Sequence, residues 1–256
     1  MADRVAVVTG ASGGIGRATA RALARNGFAV VVTAREIGRL DATVDELRGF
    51  GATVEAVACD VTDEDSIAAM VAAADGLGVV HTVVANAGVP GPVAPLAEVT
   101  LAQWRDCLAT NLDGVFLTFH AFLPGLVRRG EGALIAVGSM TGKRPMENRG
   151  PYAASKMGLI GLVRTLATEL GPSGVRANCV CPGPVDSERL DTLARRNADR
   201  DGITEAEARA AFTGISPMGR AVTADEVAAM CAFLASDAAA GITGEDVNVS
   251  AGAVMY

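Results

Sequence analysis

Thr9-Gly10-Ala11-Ser12-Gly13-Gly14-Ile15-Gly16 decides the fold: it follows the apolar run Val5 to Val8 directly and opens into helical spacing from Arg17. Glycine lets a backbone turn tightly and come close to a pyrophosphate, while the free amides and dipole of the next helix attract its charge. A glycine cluster alone serves any tight turn. A strand before and a helix after make this one a phosphate-binding turn. Its spacing, Gly-x-x-x-Gly-x-Gly, departs from the Gly-x-Gly-x-x-Gly of the common dinucleotide fingerprint.

Outward from that turn, short β-branched runs alternate with longer Ala-rich stretches of helical period. The runs are Val5 to Thr9, Ala29 to Thr33, Thr53 to Ala58, Val79 to Ala85, Ala133 to Val137 and Val175 to Val180. Arg17 to Asn26, Asp65 to Ala74 and Lys156 to Leu170 carry apolar residues three and four apart, the pattern of helices covering a sheet. Thr223 to Glu226 reads as a helix start and Asp246 to Ser250 as a last strand. Repeated strand then helix predicts an α/β fold with a doubly wound, mainly parallel sheet flanked by helices. One domain over 1–256 is expected, because no repeat or long linker interrupts the pattern. The charged segment 183–216 is too long for a simple connection and reads as a lid over a substrate, with a solvated helical excursion as the plainer alternative.

Half of the residues are hydrophobic, only 4% are aromatic and the formal charge is −7, so there is no basic footprint for nucleic acid. Arg128-Arg129 and Arg195-Arg196 read as solvated helix faces. Met1 to Arg4 run straight into the first apolar stretch, and no run approaches the ~20 apolar residues of a spanning helix. A cytoplasmic protein without membrane contact is expected. Cys59, Cys107, Cys179, Cys181 and Cys231 sit in apolar surroundings and read as buried free thiols, Cys179 and Cys181 on one face of a strand. His81 and His120 fit no ligand pattern, and no metal site is expected.

Several motifs recur in a fixed order: the glycine turn, Asn86-Ala87-Gly88, Asn111, Ser139, Tyr152-Ala153-Ala154-Ser155-Lys156 and Pro182-Gly183. Together they resemble the classical short-chain dehydrogenase/reductase (SDR) family over essentially the whole chain. The resemblance implies a Rossmann fold and an oxidoreductase moving a hydride between NAD(P)(H) and a carbonyl or secondary alcohol. It implies Asn111, Ser139, Tyr152 and Lys156 as the catalytic set, Asn111 holding a water that relays protons from Lys156. Taken alone, Asn111 reads as a residue that caps or kinks a helix.

Composition supports the pair at the centre of that set. The chain has two tyrosines, Tyr152 and Tyr256, and two lysines, Lys143 and Lys156, and one of each forms Tyr-x-x-x-Lys. On a helix starting near Pro151, residues four apart share a face. A phenol, with a reference pKa of about 10, becomes a usable acid or base at neutral pH when a cation stands beside it. Tyr152 would then pass its proton to the carbonyl oxygen as hydride reaches carbon. Ser139, at the end of the fifth strand, would orient that oxygen.

By the same resemblance the cofactor touches Gly10, Ser12, Gly14, Ile15 and Gly16 at the turn, Asp60 and Val61 beside adenine, and Asn86, Ala87 and Gly88 near the adenine ribose. Tyr152, Lys156, Pro182, Gly183, Val185 and Ser187 complete the nicotinamide end, Ser187 replacing the usual threonine. Asp60 could instead cap the helix entered through Asp63, and Pro182-Gly183 could be only a turn. Arg35, where NAD enzymes commonly carry an acid, favours NADP; Gly13, where many NADP-dependent relatives carry a second base, keeps NAD open. Met140, Met146, Asn148 and Met218 read as pocket lining or core filler. A 3-oxoacyl carrier-protein reductase is one specific version, against which Ser173 stands where such enzymes often have arginine. A non-catalytic dinucleotide-sensing regulator is the alternative, and a dehydratase or epimerase without net cofactor turnover a third. Helices Leu112 to Val127 and Lys156 to Leu170 would pack with copies of themselves in a homotetramer or dimer.

Overall fold

The computed structural model describes residues 4–256. Strand β1 (Val5–Val8) is fully buried and leads through the glycine turn into α1 (Gly14–Arg25). The alternation continues through β2 (Ala29–Ala34), α2 (Asp41–Gly49), β3 (Val54–Ala58), α3 (Glu64–Leu77) and β4 (Val80–Ala85). Next come α4 (Leu101–Leu108), α5 (Gly114–Arg129), β5 (Gly132–Val137), the single turn α6 (Met140–Lys143), α7 (Gly150–Leu170) and β6 (Val175–Pro182). α8 (Glu188–Asp201) and α9 (Glu205–Thr213) fill the long insertion, and α10 (Ala224–Ala235) precedes β7 (Asp246–Val249).

The strands form one seven-stranded sheet in the order β3-β2-β1-β4-β5-β6-β7, and every pairing is parallel. Side chains alternate across it with the period of two that a strand imposes. Val5, Val7, Leu134 and Cys179 face one apolar layer with α3, α5 and α7; Ala6, Val8, Ile135 and Val180 face the other with α1, α2 and α10. Leu134 and Ile135 are wholly buried, each burial stabilising by about 1.5–3 kcal/mol. The expected doubly wound architecture is the observed one, with chain order reversing between β1 and β4. Such a reversal opens a crevice at the carboxyl ends of the strands.

Strand and helix ends shift slightly from the expected positions. β6 runs on to Pro182 because its last residues pair with β7, Pro182 lying opposite Val249. α7 starts at Gly150, with Pro151 where its missing N–H costs nothing. The insertion is helical: α8 and α9 share a small apolar contact of Ala194, Ala198, Ala208 and Phe212, and Arg209 bridges Asp186 and Asp191. His81 lies in β4 with Nδ1 2.9 Å from the Thr82 hydroxyl, and His120 stacks on Phe116 on the exposed side of α5. All five cysteines are free and buried. No described helix is long and apolar enough to cross a membrane.

Candidate active site

A cavity of about 640 Å³ opens above the carboxyl ends of β1 to β6. Its floor is the glycine turn. A Cβ on Gly10, whose φ is +65°, would meet the Ala87 backbone at 2.9 Å; one on Gly16 would enter the Gly10 carbonyl. Gly13 and Gly14 have open space around them. The turn is therefore packed tightly on its protein side and bare on its cavity side, the form that suits a pyrophosphate. The residues present fit a dinucleotide.

Asn86 is the strut beneath the turn. Its Nδ2 donates to the carbonyls of Thr9 (2.9 Å) and Gly10 (3.0 Å), while its amide donates to the Thr9 hydroxyl at 3.0 Å. Asp60 borders the cavity, but it does not cap α3: it accepts from the Thr62 amide (2.9 Å) and hydroxyl (2.8 Å), and Asp63 caps the helix. Those two hydrogen bonds hold the Asp60 carboxyl below the usual range. Arg35 follows the end of β2, exposed, and Arg39 one helical turn later lines the same corner. The motifs did not mark Arg39; a basic residue four beyond Arg35 was the available signal.

Ser139, two residues beyond β5, is extended and accepts from the Thr141 amide at 3.1 Å, so it caps α6 while lining the cavity. Tyr152 and Lys156 lie one turn apart on α7. The Lys156 ammonium, 4% exposed, donates to the Val137 carbonyl at 2.8 Å and stands 5.9 Å from the centre of the Tyr152 ring. Pro182, Gly183, Val185 and Ser187 close the far side. The Ser187 hydroxyl donates to the Val185 carbonyl at 3.0 Å and caps α8, so it is engaged within the protein.

Asn111 is the exception among the expected site residues, for it lies behind the cavity wall. It occupies a π-helical turn, Ala109–Asp113, between α4 and α5. The extra residue of such a turn re-aims side chains. Its amide donates to the Val89 carbonyl (3.0 Å) and the Ser155 hydroxyl (3.2 Å), and its Oδ1 accepts from the Val89 amide (2.8 Å). It thus ties the segment after β4 to the helix that carries Tyr152, which neither a capping nor a simple kinking role describes. Met140, Met146 and Asn148 line the cavity; Met218 does not, and is 61% exposed. Cavity residues that sequence reasoning missed include Arg149, Asn197, Arg200 and Phe212. Cys59 also borders the cavity; burial pushes its thiol up to about 11, which removes it as a nucleophile.

The chain is similar to known proteins over nearly its whole length. A family profile described as enoyl-(acyl carrier protein) reductase matches residues 10–254. A protein of Streptomyces violaceoruber named as a ketoacyl reductase of the granaticin polyketide synthase is 40% identical, over 100% of this chain and 94% of its own length. The chain is a short-chain dehydrogenase/reductase. The cis-4-hydroxycyclohexanecarboxylate dehydrogenase of Sinomonas cyclohexanicum is also 40% identical, over 98% of this chain and 96% of its own. A variant of actinorhodin polyketide ketoreductase crystallised with NADPH superposes with a TM-score of 0.95 at 36% identity, covering 99% and 98% of the two chains. This SDR is accordingly an NAD(P)-dependent oxidoreductase, and the non-catalytic reading finds no support.

Proposed function

We propose that this SDR is an NADP-dependent carbonyl reductase that converts a ketone on a largely apolar, cyclic or acyl-chain body into a secondary alcohol. The observation that carries the reading is the convergence of Ser139, Tyr152 and Lys156 on one cavity whose floor is the bare glycine turn. Val89, Val93, Met146, Leu193 and Phe212 supply apolar lining for the substrate body. The names of the relatives, ketoacyl reductases and a cyclic-alcohol dehydrogenase, point the same way. Arg35 and Arg39 at the end of β2 favour a 2′-phosphate, as does the NADPH in the related ketoreductase.

Gly10, Ser12, Gly14, Ile15 and Gly16 would hold the pyrophosphate, with Asp60, Val61 and Asn86 to Gly88 along the adenosine half. Pro182 to Ser187 would hold the other half, where the bound nicotinamide supplies the hydride donor or acceptor. The Tyr152 hydroxyl donates its proton to the substrate oxygen, and in the reverse direction the phenolate takes it back. Ser139 Oγ donates a hydrogen bond to the same oxygen, fixing its position and sharing its developing charge. Lys156, held by the Val137 carbonyl, keeps a positive charge beside the phenol. Asn111 positions Val89 and α7 against each other, and the proton relay from Lys156 would run past it.

The chain folds as one catalytic unit, with 183–216 as the lid: Leu190, Leu193, Asn197, Arg200 and Phe212 all face the cavity from it. The exposed Phe116 and Val127 of α5 and Met157 of α7 fit contacts between copies in a tetramer, in a cytoplasmic enzyme. A second reading, oxidation of a cyclic alcohol bearing a carboxylate, is favoured by the Sinomonas relative. Ketones and alcohols of both kinds, assayed with each nucleotide through the absorbance of reduced nicotinamide, decide between them. Tyr152→Phe should lower turnover by roughly 10²–10⁴-fold with nucleotide affinity kept; unchanged turnover would sink the reading. Arg35→Ser should weaken NADPH by roughly tenfold or more and leave NADH nearly unaffected, the loss of about one charge-assisted hydrogen bond.

A further inference from the structure

Arg149 belongs to none of the motifs, yet it is buried in the cavity wall, 8% exposed. Its guanidinium carbon lies 4.4 Å from the centre of the Tyr152 ring, nearer than the Lys156 ammonium at 5.9 Å. The backbone builds this placement. Asn148 adopts a left-handed conformation, φ 61°, and its carbonyl accepts from the Ala94 amide at 3.1 Å, pinning the loop. Arg149 then caps α7, its carbonyl accepting from the Ala153 amide at 2.8 Å. Three residues apart on the first turn, Arg149 and Tyr152 share a face.

Other charged or titratable groups among the described residues stand near this part of the cavity. Lys156 stands on the same helix; exposed Glu147 lies on the preceding loop; Arg200, exposed and bonded to Asp201, borders the cavity from α8. From α4 comes Cys107, whose thiol burial pushes up and so keeps neutral. A guanidinium remains charged at every working pH, and a cation over an aromatic face is held most strongly where water is excluded. Two cations, Arg149 and Lys156, therefore stand close to the Tyr152 ring.

We propose that Arg149 is a second cation acting on Tyr152, a positioning residue that sets the ring and stabilises the phenolate left when the proton has moved to the substrate oxygen. Lys156 then shares that work with a group fixed by the helix start. The proposal rests on the reading of Tyr152 as the acid and base, but it can be tested without turnover.

With Tyr256 replaced by Phe, Tyr152 is the chain's single phenol, and its ionisation can be followed directly by the near-ultraviolet tyrosinate band. Tyr256 is 72% exposed at the chain end, outside the cavity. In that background, Arg149→Met should raise the tyrosinate midpoint by about one pH unit or more, and Arg149→Lys should restore most of it. Arg149→Gln provides a second neutral variant should the methionine protein not fold. In the otherwise unaltered enzyme, the acidic limb of kcat for alcohol oxidation should move by the same amount, with KM for the alcohol changed less. A midpoint shifted by less than about 0.3 unit in variants of ordinary thermal stability overturns the proposal, since the charge then does not reach the phenol. A lowered thermal midpoint with an unmoved tyrosinate midpoint would mean a structural role only, and overturns it equally. Turnover surviving Tyr152→Phe would instead remove the acid/base reading while leaving the titration result standing.

Discussion

At Gly16 a single methyl group has nowhere to go: it would enter the Gly10 carbonyl and stand 2.6 Å from the Asn86 amide nitrogen. Gly16→Ala should therefore dislodge Asn86 from the turn it supports. An overpacked contact of this kind costs about 1–3 kcal/mol, so the variant should melt earlier and bind NADPH roughly tenfold more weakly, measured by calorimetry and nucleotide titration. A variant that melts and binds like the parent would show that the turn relaxes freely. The glycine itself was readable from its place between strand and helix. What it packs against was not, because Asn86 lies 76 residues from Gly10. Asn111 teaches the same lesson: its place in the motif order marked it, but its bonds to Val89 and Ser155 exist only once α4, α7 and the segment after β4 have met.

Helices advertise their starts in the sequence, and here the starts are built as chemistry dictates. Thr100-Gln103, Thr204-Glu207 and Thr223-Glu226 each form a reciprocal capping box. The last of these was expected from Thr223 to Glu226, and its carboxylate does more than cap. Arg220 and the Thr223 amide both bond Glu226, which pulls its carboxyl down to about 2, so the cap persists into moderate acid. Thr223→Ala should cost about 1 kcal/mol, read from denaturant unfolding, with turnover nearly unchanged because α10 lines none of the cavity. The element least readable was the π-helical turn at Ala109–Asp113. No local residue preference distinguishes it from the α-helix on either side; from that turn the Asn111 side chain bonds Val89 and Ser155.

Across the whole molecule, the edge strand β7 is tied by charge to α6 and α7. Lys143 of α6, 7% exposed, pairs with Asp246 Oδ2 at 2.8 Å, and Arg164 of α7 bonds the other oxygen at 2.6 Å. Burial alone would raise the Asp246 carboxyl; the bonds from Lys143 and Arg164 outweigh it and hold the group below the ordinary range. A folded-state pKa below the unfolded value gives stability that is full above the unfolded pKa of about 3.9 and is lost as pH falls toward the folded one. Asp246→Asn should thus cost about 3 kcal/mol at neutral pH, where it leaves Lys143 buried without its counter-charge. It should also flatten the loss of stability below about pH 4. Equal acid sensitivity in parent and variant, followed by thermal unfolding against pH, would refute the linkage.

The alternating elements, the glycine turn and the Tyr-x-x-x-Lys pair were legible in the residue order alone. Each is written in the spacing of neighbours, and backbone geometry turns such spacing into shared faces over a few residues. Packing between distant segments settled that Asn111 stands behind the cavity and that Lys143 anchors β7. Those outcomes depend on segments that a parallel sheet brings together through long crossovers. No local pattern encodes which buried charge or amide will find its partner there.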